Sequence, residues 1–426
     1  MKSLISGVSV LLLFACALSC RKTSFIQSAD ALVNTSADTL HFDTVFTTTG
    51  SITKSFKIFN RNDQKLRLSN VKLMGAASSA FKLNVDGTAG VDFNNIEIAP
   101  NDSIYVFVSV TISQNSARLP YIVQDSILIN YNGNNKYVQL DAFGQNANFL
   151  RNSRITRNTT WINNDLPYVI LGSVLIDSGA SLTINKGCRI FVHADAPIIV
   201  NGSLKVNGER FDSTRVVFRG DRLDEPYRNF PGSWPGIYFS PSSKDNLLNY
   251  AIIENAYQGI ITEFPSSDRN YKVSLNQCII DNIYDAGILS IASSVKATNC
   301  LISNCGSNIA ITAGGSYDFN YCTVVSYSNS YLTHKSPVML VSNADNQNQL
   351  NNLSAVFRNC IFWGEGGIVD NEVVIDKKVT SSSVAFENIL YKGKEKLSTA
   401  VNSILNEPPQ FDSIDAGKRY FDFHLQ

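Results

Sequence analysis

The chain carries little charge of either sign. Lysine and arginine number 36, aspartate and glutamate 36, together 17% of 426 residues, and the formal net charge is zero. Composition therefore supplies no basic face for phosphate neutralisation, and nucleic acid is not an expected partner. Histidine is scarce, with four residues, and no Cys-x-x-Cys pair accompanies it. A zinc site is accordingly not indicated, and no resident cofactor is expected. After the N-terminal segment no run is long and apolar enough to span a bilayer. The second half has no helical pattern between its short apolar runs. Asparagine, serine and threonine are plentiful instead, as in exported β-proteins with many turns. An all-β chain is expected.

The N-terminus reads as an export signal: Lys2 supplies the positive region and Val8 to Phe14 a short apolar core. Ala17-Leu18-Ser19 before Cys20 resembles a bacterial lipobox, which assigns residues 1–19 to a signal and 20–35 to a tether. Cys20 becomes the lipidation site, with membrane lipid as its partner. Cys16 fits less well, because Phe14 stands where a small residue is preferred. An ordinary cleaved signal with incidental cysteines is the alternative. Several acyl chains on one cysteine anchor stably where a single chain is marginal.

Residues 36–146 alternate with a period of two. Val108, Val110 and Ile112 are separated by Ser109 and Thr111, and Val138, Leu140 and Ala142 by Gln139 and Asp141. Half-buried strands have this period. Asp86-Gly87, Pro100-Asn101-Asp102 and Asn132-Gly133-Asn134 interrupt the runs as turns. About seven such strands predict an immunoglobulin-like sandwich. His41, the only histidine of this region, has no partner visible in the sequence. The polar, Asn-rich residues 147–165 read as a linker.

From Tyr168 onward the apolar runs shorten to three to five residues, as at Val169-Ile170-Leu171 and Ile198-Ile199-Val200, with Gly172, Gly187, Gly202 and Gly208 between them. Residues 166–426 are expected to form a parallel β-helix. Cysteine returns every 22 residues in one local phrase, at Cys278, Cys300 and Cys322. Aligning the later turns predicts an inward column of Ala251, Cys278, Cys300, Cys322, Cys360 and Ile389, and a second column of Asn255, Asn282 and Asn304. Free thiols packed as small hydrophobes suit the first column better than disulfides, since stacked parallel side chains point the same way. Cys300 and Cys305 pair only if Cys305 also faces inward. About 16 additional residues between Cys322 and Cys360 predict a loop, and loops are where sites grow on a solenoid.

Glycoside hydrolysis needs two carboxylates across a cleft. Glu254, Asp281, Asp285 and Asp318 are scattered singly along the rungs and read as solvated edge residues. The segment from Arg219 to Arg228 carries six charges in ten residues and is closely followed by Trp234. Mutual pairing in a surface loop is the simpler reading. The sharper one is a saccharide site, with Tyr227 or Trp234 stacking on a sugar ring and Arg222 with Asp224 holding hydroxyls.

Phe42-Asp43-Thr44-Val45-Phe46, Phe56-Lys57-Ile58-Phe59-Asn60, Pro100 and the run from Leu140 to Gly144 resemble immunoglobulin-like domains of the abnormal-spindle and hydin type. Together with Cys20 and Pro231-Gly232-Ser233-Trp234-Pro235-Gly236-Ile237, they resemble Bacteroidetes cell-envelope lipoproteins with right-handed parallel β-helix repeats. That resemblance implies a lipid-anchored protein of the outer membrane that binds polysaccharide or supports a surface assembly. A polysaccharide lyase or hydrolase, with calcium if a lyase, is one alternative. An adhesin or scaffold for envelope proteins is another. Relatives continue beyond a segment like Tyr420-Phe421-Asp422-Phe423, so an incompletely capped last rung or a fragment is also expected.

Overall fold

The structure, a computed structural model, describes residues 24–345, 347, 349–378 and 382–426. The expected signal and Cys20 lie outside the described residues. Contacts divide the chain into two compact units, residues 1–146 and 147–426. Among the described residues no helix is long and apolar enough to cross a membrane.

The described residues of the first unit form ten strands: β1 (Val33–Thr35), β2 (Thr39–Phe46), β3 (Lys54–Asn60), β4 (Leu66–Leu73), β5 (Phe81–Val85), β6 (Thr88–Gly90), β7 (Asp92–Ile98), β8 (Ser103–Val110), β9 (Tyr121–Tyr131) and β10 (Asn134–Gln145). They form two sheets, ordered β1-β3-β8-β5-β6 and β2-β10-β9-β4-β7. Leaving aside β2, β6 and β7, the order β1-β3-β8-β5 on one side and β10-β9-β4 on the other is the immunoglobulin-type division. The alternation seen in sequence is the cause. Val106, Val108 and Val110 of β8 are buried, as are Val138, Leu140 and Ala142 of β10. The partner that sequence could not supply for His41 comes from the parallel pairing of β2 with β10, which sets Asp141 opposite it. The imidazole Nδ1 lies 2.8 Å from the Asp141 carboxylate. Nor are residues 20–35 a free tether throughout: Phe25 bridges to Lys65, and β1 pairs with β3.

The second unit is a parallel β-helix. Among its described residues 26 strands form one continuous sheet in which most strands also pair with the strand three further on. Three stacks of parallel strands result. Here the structure corrects the linker reading of residues 147–165. Asn148–Ile155 and Thr159–Trp161 are strands that pair in parallel with Tyr168–Ile176 and Ser181–Asn185. Polar composition concealed them because the outer face of a rung is solvated, while Ile155 and Trp161 point into the core. At the other end the coil closes with Ile404–Leu405. The last residues leave the solenoid as an antiparallel hairpin of Phe411–Asp415 with Tyr420–Leu425.

Register follows the alignment made from sequence. Leu248 pairs with Leu275, Ile253 with Ile280, and Phe357 with Phe386. The inward column is buried throughout, from Ala251 to Ile389. Pairing extends it upstream to Val216 and Cys188, which the 22-residue period did not reveal because a loop separates them. All six cysteines of this unit are free. The residue before most column positions, such as Gln277, Asn299, Tyr321, Asn359 and Asn388, has positive φ, whereas Arg215 before Val216 is extended. That turn aims the column side chains inward, and asparagine tolerates it better than most residues. The second column is only partly a ladder. Asn282 donates to Asn255 at 2.7 Å, whereas Asn304 donates to Asp281 at 3.2 Å.

Candidate functional site

Trp234 does not take the place expected of it. Its side chain is fully buried in the core of the coil, and its indole N–H donates to the Glu254 carbonyl at 2.9 Å. It cannot stack on a sugar. The turn that holds it has Gly232 and Gly236 at φ +79° and +117°, and this backbone turns the indole inward. Nothing in the local sequence indicates that direction. Arg222, Asp224 and Tyr227 do come together, but they satisfy one another. The guanidinium grips both Asp224 oxygens at 2.7 and 2.8 Å and lies 4.2 Å from the centre of the Tyr227 ring. The Asp224 hydrogen bond raises the Arg222 pKa further. The simpler sequence reading, a self-paired surface loop, describes this segment.

A groove on the neighbouring face was not anticipated. Ile199, Tyr238, Ile261 and Leu289 are register partners on four successive rungs. They occupy the outward, half-buried positions of their strands and form an apolar floor. Beside them Gly236, Gly259 and Gly287 also fall in register. A Cβ on Gly236 would lie 1.7 Å from the Gln258 carbonyl oxygen, and one on Gly259 2.5 Å from that of Gly287. Only glycine lets the backbone of this wall stack so closely. The groove encloses about 660 Å³, within the range of small-molecule sites.

Its rim carries aromatic and polar groups. Tyr257 borders the groove and stacks with Tyr284, one rung on, at 5.4 Å between centroids and 23° between planes. Both rings are about half exposed, at 48% and 53%. Gln258 donates to Asp285 at 2.7 Å. The Tyr238 hydroxyl donates to Glu263 Oε2 at 2.7 Å. Burial first, and then this carboxylate, push the Tyr238 pKa up to about 12. Lys272, whose charge interacts with Glu263, is wholly buried and donates to the carbonyls of Ser240 and Pro241 at 2.8 and 3.0 Å. Burial pulls its ammonium down to about 8, opposed by the charge of Glu263.

A second, smaller cavity of about 130 Å³ brings together acids that look isolated in sequence. Glu254 and Asp281 are register partners on adjacent rungs. Arg219 holds Glu254 at 3.2 Å. Asp281 accepts from Ser303 Oγ at 2.6 Å and Asn304 Nδ2 at 3.2 Å. Burial raises Asp281 to about 6, a rise to which Glu254 adds and which the Ser303 and Asn304 hydrogen bonds oppose. The carboxyl is neutral in the fold up to about pH 6 and ionised in an unfolded chain above about pH 4. Its contribution to stability is therefore present below pH 4 and lost as pH rises to 6. Asp281→Asn should accordingly stabilise the β-helix more at pH 7 than at pH 4, as urea unfolding at the two pH values would show. Asp285 and Asp318 are not part of this pair: Asp285 accepts from Gln258 and Asp318 from Arg358. Among the described residues no group of three or more His, Cys, Asp or Glu is placed to hold a metal ion.

No protein-family model matches the chain, and no curated protein sequence matches it. Among solved structures it is similar to a family 123 glycoside hydrolase from Clostridium perfringens, described for glycolipid glycan hydrolysis. The identity is 11%, the TM-score 0.20, and the match covers 29% of this chain and 26% of that one. The chain thus spans about a quarter of the length of the structure it matches, and a likeness of this size carries no functional argument.

Proposed function

We propose that the protein is a lipid-anchored envelope protein that binds glycan along the Tyr257–Tyr284 groove of its β-helix. The observation that carries this reading is the exposed pair of parallel tyrosines beside an open groove. Aromatic faces at a wet rim offer apolar area to the C–H face of a sugar and keep a hydroxyl for hydrogen bonding. Gln258 and Glu263 supply polar groups on the same rim. Tyr257→Ala should weaken retention of glycans on an array at least about tenfold, the equivalent of about 1.4 kcal/mol. Tyr284→Ala should act in the same direction, and Arg222→Ala should leave retention unchanged. Unaltered retention by the Tyr257→Ala/Tyr284→Ala double variant would remove the groove from consideration.

The anchor rests on the small residues before Cys20 and on the short apolar run preceding them. Cells fed an alkynyl fatty acid should label the wild-type chain and not the Cys20→Ala variant. Label that persists in the variant would rule out Cys20.

The Glu254–Asp281 pair favours a second reading, polysaccharide hydrolysis. A carboxyl raised to about 6 by burial, with a second carboxyl on the adjacent rung, suits a general acid beside a partner acid. Asp281→Asn should then abolish release of reducing ends while leaving the fold intact. Equal release by wild type and variant would exclude the pair.

A further inference from the structure

The charge and shape of the groove narrow its ligand. Its lining contains one charged side chain, Glu263, and no lysine or arginine. The ammonium of Lys272 is buried, absent from the groove lining and engaged with two backbone carbonyls. A polyanionic glycan entering the groove would meet a carboxylate and no cation, a like-charge contact in partly desolvated surroundings.

The floor makes a second selection. Ile199, Ile261 and Leu289 offer no donor or acceptor, so a sugar hydroxyl pressed against them loses water without gaining a partner. A methyl group meets no such penalty. Glu263 makes a third. Its Oε2 is taken by the Tyr238 hydroxyl, while Oε1 accepts no hydrogen bond among the described residues and remains open to a ligand N–H. Apolar floor, open carboxylate oxygen and stacking ring lie within one groove.

Resting on the glycan reading of this groove, we infer that its ligand is an uncharged glycan containing N-acetylated hexosamine. The acetamido methyl lies on the aliphatic floor, the amide N–H donates to Glu263, and a ring face stacks on Tyr257. The same geometry disfavours polyuronates and sulfated chains, and it discriminates against glucans that present hydroxyl where the acetamido group would be.

Calorimetric titration of the full chain in detergent tests this with three probes: the β-1,4 tetramer of N-acetylglucosamine, the β-1,4 tetramer of glucose, and polygalacturonate at low and high salt. The N-acetylglucosamine tetramer should bind at least about tenfold tighter than the glucose tetramer, and polygalacturonate should not bind at either salt concentration. Glu263→Gln should reduce the preference between the two tetramers, since its amide can still accept from Tyr238 but is a weaker acceptor for the ligand. If the glucose tetramer or polygalacturonate binds as tightly as the acetylated one, and Tyr257→Ala still weakens it, the acetamido inference falls and the glycan groove stands. If none of the three binds, both fall.

Discussion

Raising the pH above 9 should unfold the β-helix over a narrow interval, with the protein intact below that point. Burial pushes the Cys188 thiol up to about 11, from an ordinary value of 9.0. It also drives Cys278 and Cys305 upward. In Cys300 and Cys322 the hydrogen bond with the thiol of the preceding rung lowers the pKa. The following rung's thiol and burial outweigh it, and the net direction is upward. An unfolded chain releases these protons near pH 9, and the folded one retains them. The stabilisation is thus fully present below pH 9 and is lost as pH rises toward the folded values.

Each thiol contributes a slope of about 1.4 kcal/mol per pH unit, so five together reach about 7 kcal/mol per unit, as much as a whole domain's stability. Buried tyrosines such as Tyr317, pushed up by burial to about 12, act in the same sense above pH 10. Lys272 acts in the opposite sense between about 8 and 10.5, one group against five. Circular dichroism of the reduced protein from pH 7 to 11 should show the transition. Cys300→Ala/Cys322→Ala should make it shallower. Alanine is tolerated in the column because Ala251 already occupies it. An unchanged slope in that variant would contradict the thiol account.

Removing the Glu372 carboxylate should cost about 1–3 kcal/mol, the range for leaving a buried hydrogen-bonding partner unsatisfied. Glu372 and His334 have side-chain exposures of 0% and 2%. The imidazole Nε2 lies 2.9 and 3.0 Å from the two carboxylate oxygens, and the Val338 N–H donates to one of them at 3.3 Å. The His334 Nδ1 atom already has no partner among the described residues. Glu372→Ala would leave the second ring nitrogen unpaired as well, in a site without water-facing surface. Gly364 belongs to the same arrangement: a Cβ there would stand 2.2 Å from His334 Nε2 and 2.3 Å from Glu372 Oε1. Urea unfolding of Glu372→Ala, His334→Ala and the double variant should give a double cost well below the sum of the singles, because the first substitution already breaks the pair. Single costs under about 1 kcal/mol would mean that the pair contributes no more than a surface contact.

The architecture was legible because burial in a β-helix repeats. Leu248, Leu275, Ala297 and Phe319 recur in register, so the same local phrase returns at each coil, and the alternation of β8 and β10 reports their two faces in the same way. Legibility failed where a side chain's direction depended on backbone outside the repeat. Trp234 follows a charged loop and by sequence reads as solvent-facing, yet its turn sends it to the core. Residues 147–165 look like a linker because a rung shows its polar outer face in composition while its inward residues are few.

By itself, then, the sequence determined an all-β chain of sandwich and parallel coil, the inward cysteine column and its register. Those properties follow from short-range alternation and a repeat of about 22 residues, both written locally. That register already sets Tyr257 beside Tyr284 and Glu254 beside Asp281, each 27 positions apart. Only the tertiary structure decided that the two rings stack at an exposed rim, that the two acids line one cavity, and that His334 meets Glu372 from 38 positions away. Those outcomes depend on how the chain between rungs folds back on the coil, which no local pattern records.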